Sequence, residues 1–155
     1  MPSDPRVRRA SAADAGEVGR LLYAFNTEFD EYVPEVPVLT ERIAEHLEHD
    51  FSTFFLGGEG PDGFASVRFR PSLISGALDA YLEELYVAPA QRGEGLGRAL
   101  LEAAIEEARN RGAAHMDLCT SEDDSAARAL YESAGFTNRE GRPDGPVMLF
   151  YERDL

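Results

Sequence analysis

The chain has 155 residues, of which 43% are hydrophobic and 28% charged. That is the length of one domain, 1–155, with enough apolar residues to bury a core. Twenty-nine acids against fifteen bases give a net charge of −14, which excludes a nucleic-acid binder that must neutralise phosphates and disfavours an anionic membrane surface. Every base is Arg, with no Lys. One cysteine, Cys119, allows no internal disulfide and no cysteine-based zinc cluster. The start of the chain has no apolar run of signal-peptide type, and no stretch approaches the ~20 apolar residues of a membrane span. The expectation is a cytoplasmic protein.

Val7 to Ala10 is a short strand by composition. Ser11 and Asp14 have capping-box spacing, and Val18, Leu21, Leu22 and Phe25 follow at helical spacing. A helix is expected from about Ala12 to Glu28. Pro34 and Pro37 break the chain, and Thr40 is the expected N-cap of a second helix with Ile43 and Leu47 inward. Ser52 to Leu56, Phe64 to Arg70 and Ala77 to Val87 read as strands. They are separated by turns at Gly57–Gly63 and Pro71–Gly76. A Gly-rich loop then leads into a strong helix. Its wide apolar face carries Leu96, Leu100, Ala103 and Ala104, and Gly112 ends it. His115 to Cys119 reads as a short buried strand, with Cys119 as core filling. Ser125 to Ala134 is a helix closed by Gly135, and Phe136 and Val147 to Tyr151 are the last two strands. The order is βααβββαβαββ. The fold class is α/β (α+β): one mixed, mostly antiparallel sheet of six or seven strands, with helices on both faces.

The loop Arg92-Gly93-Glu94-Gly95-Leu96-Gly97-Arg98 joins a strand to that strong helix. Its glycines permit positive φ and close approach of a ligand to the backbone. The helix starts within the loop, so its unpaired N–H groups and positive dipole end face one point. This is an anion site suited to a pyrophosphate, with Arg92 and Arg98 flanking it. It lacks the Lys-Ser/Thr of a P-loop, and no β-α-β unit of dinucleotide-binding type surrounds it.

Leu85-Tyr86-Val87-Ala88-Pro89-Ala90-Gln91-Arg92-Gly93-Glu94-Gly95-Leu96-Gly97-Arg98 closely resembles motif A of the GCN5-related N-acetyltransferases (GNAT). Asp124-Ser125-Ala126-Ala127-Arg128-Ala129-Leu130-Tyr131-Glu132-Ser133-Ala134-Gly135-Phe136 resembles their motif B. The two blocks stand in the family order, and the element order matches along nearly the whole chain. The resemblance implies transfer of acetyl from acetyl-CoA, with no metal, to a primary amine. It implies that Arg92, Gly93, Glu94, Gly95, Leu96, Gly97 and Arg98 hold the pyrophosphate. Leu85, Tyr86 and Val87 would run beside the pantetheine, and Asp124 and Ala127 would lie near the cofactor. Tyr131 matches the family's proton donor to the departing thiolate. A departing sulfur gains charge and needs such a donor.

Asp124 replaces the family's asparagine, and a carboxylate accepts hydrogen bonds without donating them. Asp124 also suits the helix N-cap. Glu83 or Glu84 is the candidate base, acting through water; strict alternation puts them on opposite faces. The ribosomal-protein alanine acetyltransferases carry a Glu where this chain has Cys119. Residues 28–50 hold eight acids against Arg42 alone, which is half the net charge. In the family this stretch borders the acceptor. It therefore implies a cationic amine, such as an aminoglycoside, a polyamine or a peptide amine. Asn26, Glu28, Phe29 and Tyr32 are the candidate acceptor contacts. His46 and His49 lie three apart without a third ligand and read as surface. The competing reading is a CoA-binding regulatory module without catalysis. Homodimers involving the strand Val147 to Tyr151 are a further expectation.

Overall fold

The elements are β1 (Val7–Arg9), α1 (Ala15–Glu28), α2 (Val36–Glu48), β2 (Ser52–Gly57), β3 (Gly63–Pro71), β4 (Leu78–Val87), α3 (Leu96–Asn110), β5 (Ala113–Leu118) and α4 (Ser125–Ser133). They come from a computed structural model that describes residues 2–155. Single 3₁₀ turns lie at Ala12–Asp14 and Pro89–Gln91. The expected order holds from β1 through α4. The strands form one sheet in the order β1-β2-β3-β4-β5. The β1–β2, β2–β3 and β3–β4 pairings are antiparallel. From β4 the chain reaches β5 through α3, the length of connection that a parallel neighbour requires. Two compact units divide the chain, one ending at Asp117 and the other spanning Leu118–Leu155.

In the first unit the sheet is covered on both faces. Phe54, Leu56, Phe64 and Tyr86 lie in one apolar cluster with Val18 and Leu21 of α1 and Leu39 and Ile43 of α2. The opposite face meets α3. A Cβ on Gly57 or Gly63 would meet Leu100 of that helix, and Leu100, Leu101 and Ala104 are fully buried. β3 is central and buried from Gly63 to Val67. Burial of these aliphatic and aromatic side chains contributes about 1.5–3 kcal/mol each.

One irregularity sets the faces of β4. Ser66 opposes Glu84 and Val67 opposes Leu82, so Glu83 is an extra residue, a β-bulge. Phe64 opposes Tyr86, and both belong to the α1/α2 cluster. Ser66, two residues from Phe64, shares its face, and so does its partner Glu84. Leu82 and Glu84 would share a face in a regular strand. The bulge separates them: Leu82 goes with Val67 and Glu84 goes with Ser66.

Four expectations are corrected. Helix α2 begins at Val36 with Pro37 in its first turn, where proline's missing N–H costs nothing. Thr40 is therefore inside the helix, its hydroxyl donating to the Val36 carbonyl at 2.8 Å. β5 has no buried residue, and Cys119 is exposed rather than core filling. The last two strands do not form. Beyond α4 there is one isolated bridge, Arg139 to Val147, so the sheet has five strands. Pro146 has no N–H to donate, so the contact there is carried by the Glu140 N–H to the Pro146 carbonyl at 2.9 Å and the Met148 N–H to the Asn138 carbonyl at 2.7 Å.

Gly63 is a position of close approach. A Cβ there would lie 2.6 Å from the Tyr86 carbonyl oxygen, a backbone atom of β4. Gly16, in α1, has nothing within 4 Å of the same position. Gly63→Ala should lower unfolding stability by about 1–3 kcal/mol. Gly16→Ala should raise it by up to about 1 kcal/mol. Urea unfolding midpoints of the two variants check this.

Candidate active site

The loop after β4 has the form an anion requires. Gly93 and Gly95 have φ of 83° and 80°, a region that costs an L side chain about 1–2 kcal/mol. Open space surrounds the Cβ position of Gly93. Gly95 is the N-cap of α3 and brings no side chain to cap it. The Leu96 and Gly97 N–H groups begin the helix and have no acceptor within it. The residues present therefore fit a pyrophosphate, because donors, positive dipole end and clearance coincide. Arg98 is exposed beside them. Arg6 donates to the Glu94 carbonyl at 2.8 Å and pairs with Asp4. Sequence reading missed Arg6, because no local pattern links positions 88 residues apart.

Arg92 adopts a different setting from the expected one. Its guanidinium donates to Glu28 at 3.0 and 2.7 Å, and its Nε donates to the Val87 carbonyl at 2.8 Å. It also lies over the Tyr86 ring, 5.7 Å from the centroid. The Tyr86 hydroxyl donates to Glu28 at 3.3 Å. Burial, and then the Glu28 carboxylate, push the Tyr86 phenol above its ordinary range. Expected acceptor and donor residues thus share one cluster. Glu28 at the end of α1, Tyr86 on β4 and Arg92 in the loop hold one another.

Glu83 and Glu84 are set apart by their partners. Arg68 alternates onto the face of Ser66, and its guanidinium pairs with Glu83. Both carboxylates therefore reach the α1/α2 face, contrary to strict alternation, and the bulge is the reason. Glu84 is pushed up to about 7, first by burial and then by the Glu83 charge, with Arg68 opposing. A carboxyl titrating there is half ionised near neutral pH and can take a proton from a bound group.

The remaining expected residues divide. Leu85 opposes Ala65 and Val87 opposes Gly63 in the β3–β4 ladder. Asn26 is turned back onto its own helix, donating to the Leu22 carbonyl at 2.9 Å. Phe29 packs edge-on to Phe25 at 5.5 Å, and Phe29 and Tyr32 are exposed. In the second unit Asp124 caps α4, accepting from the Ala127 N–H at 3.1 Å. Tyr131, on α4, packs edge-on to Phe136 at 6.2 Å between centroids. His46 bonds Ser52 at 3.0 Å through Nδ1, and His49 stacks on Phe51. Among the described residues no group of three His, Cys, Asp or Glu could hold a metal. No helix among them is long and apolar enough to cross a membrane. A separate cleft lined by Arg9, Ser11, Ala44, Glu48, Asp50 and Thr53 shares no residue with the loop.

Comparison with known proteins gives these features a family. The family model described as acetyltransferase (GNAT) family matches residues 20–136. The aminoglycoside N(6')-acetyltransferase type 1 of Stenotrophomonas maltophilia is 31% identical over 143 residues, 90% of this chain and 91% of that protein. The ribosomal protein bS18 alanine N-acetyltransferase of Escherichia coli K12 is 39% identical over 80 residues, 45% of this chain and 54% of that protein. A crystal structure from Arthrobacter sp. FB24 is 40% identical, with a TM-score of 0.89 over 100% of this chain and 99% of that one.

The Glu84 carboxyl titrates near 7 when folded against 4.5 ordinarily, so the folded chain binds its proton more tightly. Stability from this group is therefore present below pH 4.5 and is lost as pH rises through 7. Glu84→Gln, which stays neutral, should match the parent at pH 3.5 and exceed it at pH 8. Urea midpoints at both values check this; an equal difference at both would contradict it.

Proposed function

The chain belongs to the GNAT acetyltransferase family, and from that premise we propose that it acetylates a primary amine of a polycationic acceptor, using acetyl-CoA. N-acetyltransferase activity is common to its relatives. The nearly full-length aminoglycoside relative supports a polyamine-bearing small molecule as acceptor. So does the acidic stretch 28–50, although Glu28 is neutralised by Arg92. The attraction then rests on Asp30, Glu31, Glu35 and their neighbours, with exposed Phe29 and Tyr32 beside them. Residues 1–155 act as one catalytic domain.

When bound, acetyl-CoA supplies an acyl thioester that accepts an amine and releases a thiol. The N–H groups of Gly93 through Gly97 would hold its pyrophosphate, with Arg98 adding positive charge. Leu85, Tyr86 and Val87 would flank the pantetheine arm. The observation that carries the chemistry is Glu84, half-buried and raised to about 7 on the face shared with Tyr86. Its carboxylate takes the proton of the acceptor ammonium, directly or through water, and frees the nitrogen lone pair. With the acyl donor bound, the Tyr131 hydroxyl would supply a proton to the leaving thiol. Asp124 serves α4 as its N-cap, which favours a structural role for that residue.

Thiol release measured over aminoglycosides, polyamines, amino acids and basic peptides tests the acceptor. Turnover should be highest with aminoglycosides or polyamines and should fall as salt rises. Glu84→Gln should lower kcat/KM by about 10²–10⁴ and remove the rise of rate through pH 7. Tyr131→Phe should lower kcat with little effect on the acceptor KM. Unchanged rates in both variants would overturn the assigned roles.

A further inference from the structure

The peptide unit that joins Glu94 to Gly95 turns about ψ of Glu94 and φ of Gly95. Gly95 has φ of 80°, and glycine takes positive and negative φ with similar ease. Gly93, on the other side of Glu94, has φ of 83° and the same freedom. The unit between them therefore has little torsional preference of its own. In a trans peptide the carbonyl and the N–H point in opposite directions. A flip would thus replace a donor by a carbonyl oxygen, which an anion site built from backbone N–H groups cannot tolerate.

Arg6, just before β1, opposes that flip. Its Nη1 donates to the Glu94 carbonyl at 2.8 Å. Its Nε and Nη2 donate to the Asp4 carboxylate at 3.1 and 2.8 Å, a fork that fixes the plane of the guanidinium. The Arg6 carbonyl in turn accepts from the Gly58 N–H at 2.9 Å. Nη2 lies 3.8 Å from the position a Cβ on Gly95 would take. With the Glu94 carbonyl held there, the Gly95 N–H is turned away from Arg6. It donates to no backbone carbonyl among the described residues. Asp4 and Arg6 cancel in charge, and both are partly exposed, so the pair adds little stability. Its effect is on orientation, whereas Arg98 adds charge.

We infer that Arg6 is a positioning residue for the pyrophosphate of an acyl-CoA, acting through the Glu94 carbonyl to keep the Gly95 N–H turned toward the anion. The inference rests on the reading of this loop given under the proposed function. It adds a residue from the start of the chain, outside the loop and its helix. Donors held in place before the ligand arrives bind it at lower entropic cost.

Titration of the full chain with CoA, and with S-acetylpantetheine, which lacks the pyrophosphate, tests this. Arg6→Met alone leaves Asp4 unpaired and adds negative charge beside the loop. The double variant Asp4→Asn, Arg6→Met keeps the parent's net charge and loses the tether. Its Kd for CoA should rise about tenfold, by the same factor at low and high salt, with no change for S-acetylpantetheine. Arg6→Lys, which keeps one donor, should recover part of the loss. In the free chain, nitrogen-15 relaxation dispersion should show exchange at the Gly95 amide of the double variant and none in the parent. A double variant that binds CoA as tightly as the parent would overturn the inference. So would an equal loss for S-acetylpantetheine, or a loss that vanishes at high salt. A parent that binds no CoA would overturn the reading of the loop and this inference with it.

Discussion

The extra residue in β4 is the constraint on which the site depends. Without it, Leu82 and Glu84 would share a face, and one of them would be misplaced. With it, Leu82 stays opposite Val67 while Glu84 goes opposite Ser66, on the side of α1 and α2. The strand is held on both flanks of the bulge by buried partners, Phe64 and Val67 of β3. A register slip would move these side chains to the wrong face, which pins the irregularity in place. The bulge also lets Glu83 reach Arg68. One carboxylate of the pair is thereby matched with a cation, and its neighbour bears the cost of burial. Two adjacent acids acquire different chemistry from one inserted residue.

A second coupling joins the helical side of the sheet to the loop after β4. Glu28, Tyr86 and Arg92 form one hydrogen-bonded cluster. The charge pattern alone sets an acidic helical side apart from a loop whose form fits an anion. The ion pair between Glu28 and Arg92 crosses that division. It is partly exposed, so its contribution to stability is small. Its consequence is organisational: the end of α1 and the start of the loop are tied by the same two groups. The loop's fitness for an anion then rests on backbone N–H groups and clearance at Gly93 and Gly95.

Much of this was legible in the sequence because it is local. The helical spacing of Val18, Leu21 and Leu22 marked α1. The glycines between Arg92 and Arg98 marked the loop, and Asp124 was readable as a cap. The family was readable from two motifs in order, and the comparisons agree. What failed was non-local or competed with another signal. Thr40 has cap chemistry, but Pro37 starts the helix a turn earlier. Strict alternation gave opposite faces to Glu83 and Glu84, since a bulge has no signature in a run such as Tyr81-Leu82-Glu83-Glu84-Leu85. Arg6 at Glu94 and Arg92 at Glu28 join positions 88 and 64 apart. Val147 to Tyr151 has the composition of a strand, but composition does not supply a partner, and only the bridge from Val147 to Arg139 forms.

The account turns on one carboxyl group that burial and a neighbouring charge hold protonated up to neutrality. Carbon-13 NMR of the Glu84 side-chain carboxyl, followed from pH 4 to 9 and assigned by its loss in Glu84→Gln, measures this directly. The account predicts a midpoint of about 7. A midpoint in the ordinary carboxylate range, near 4.5, would contradict it.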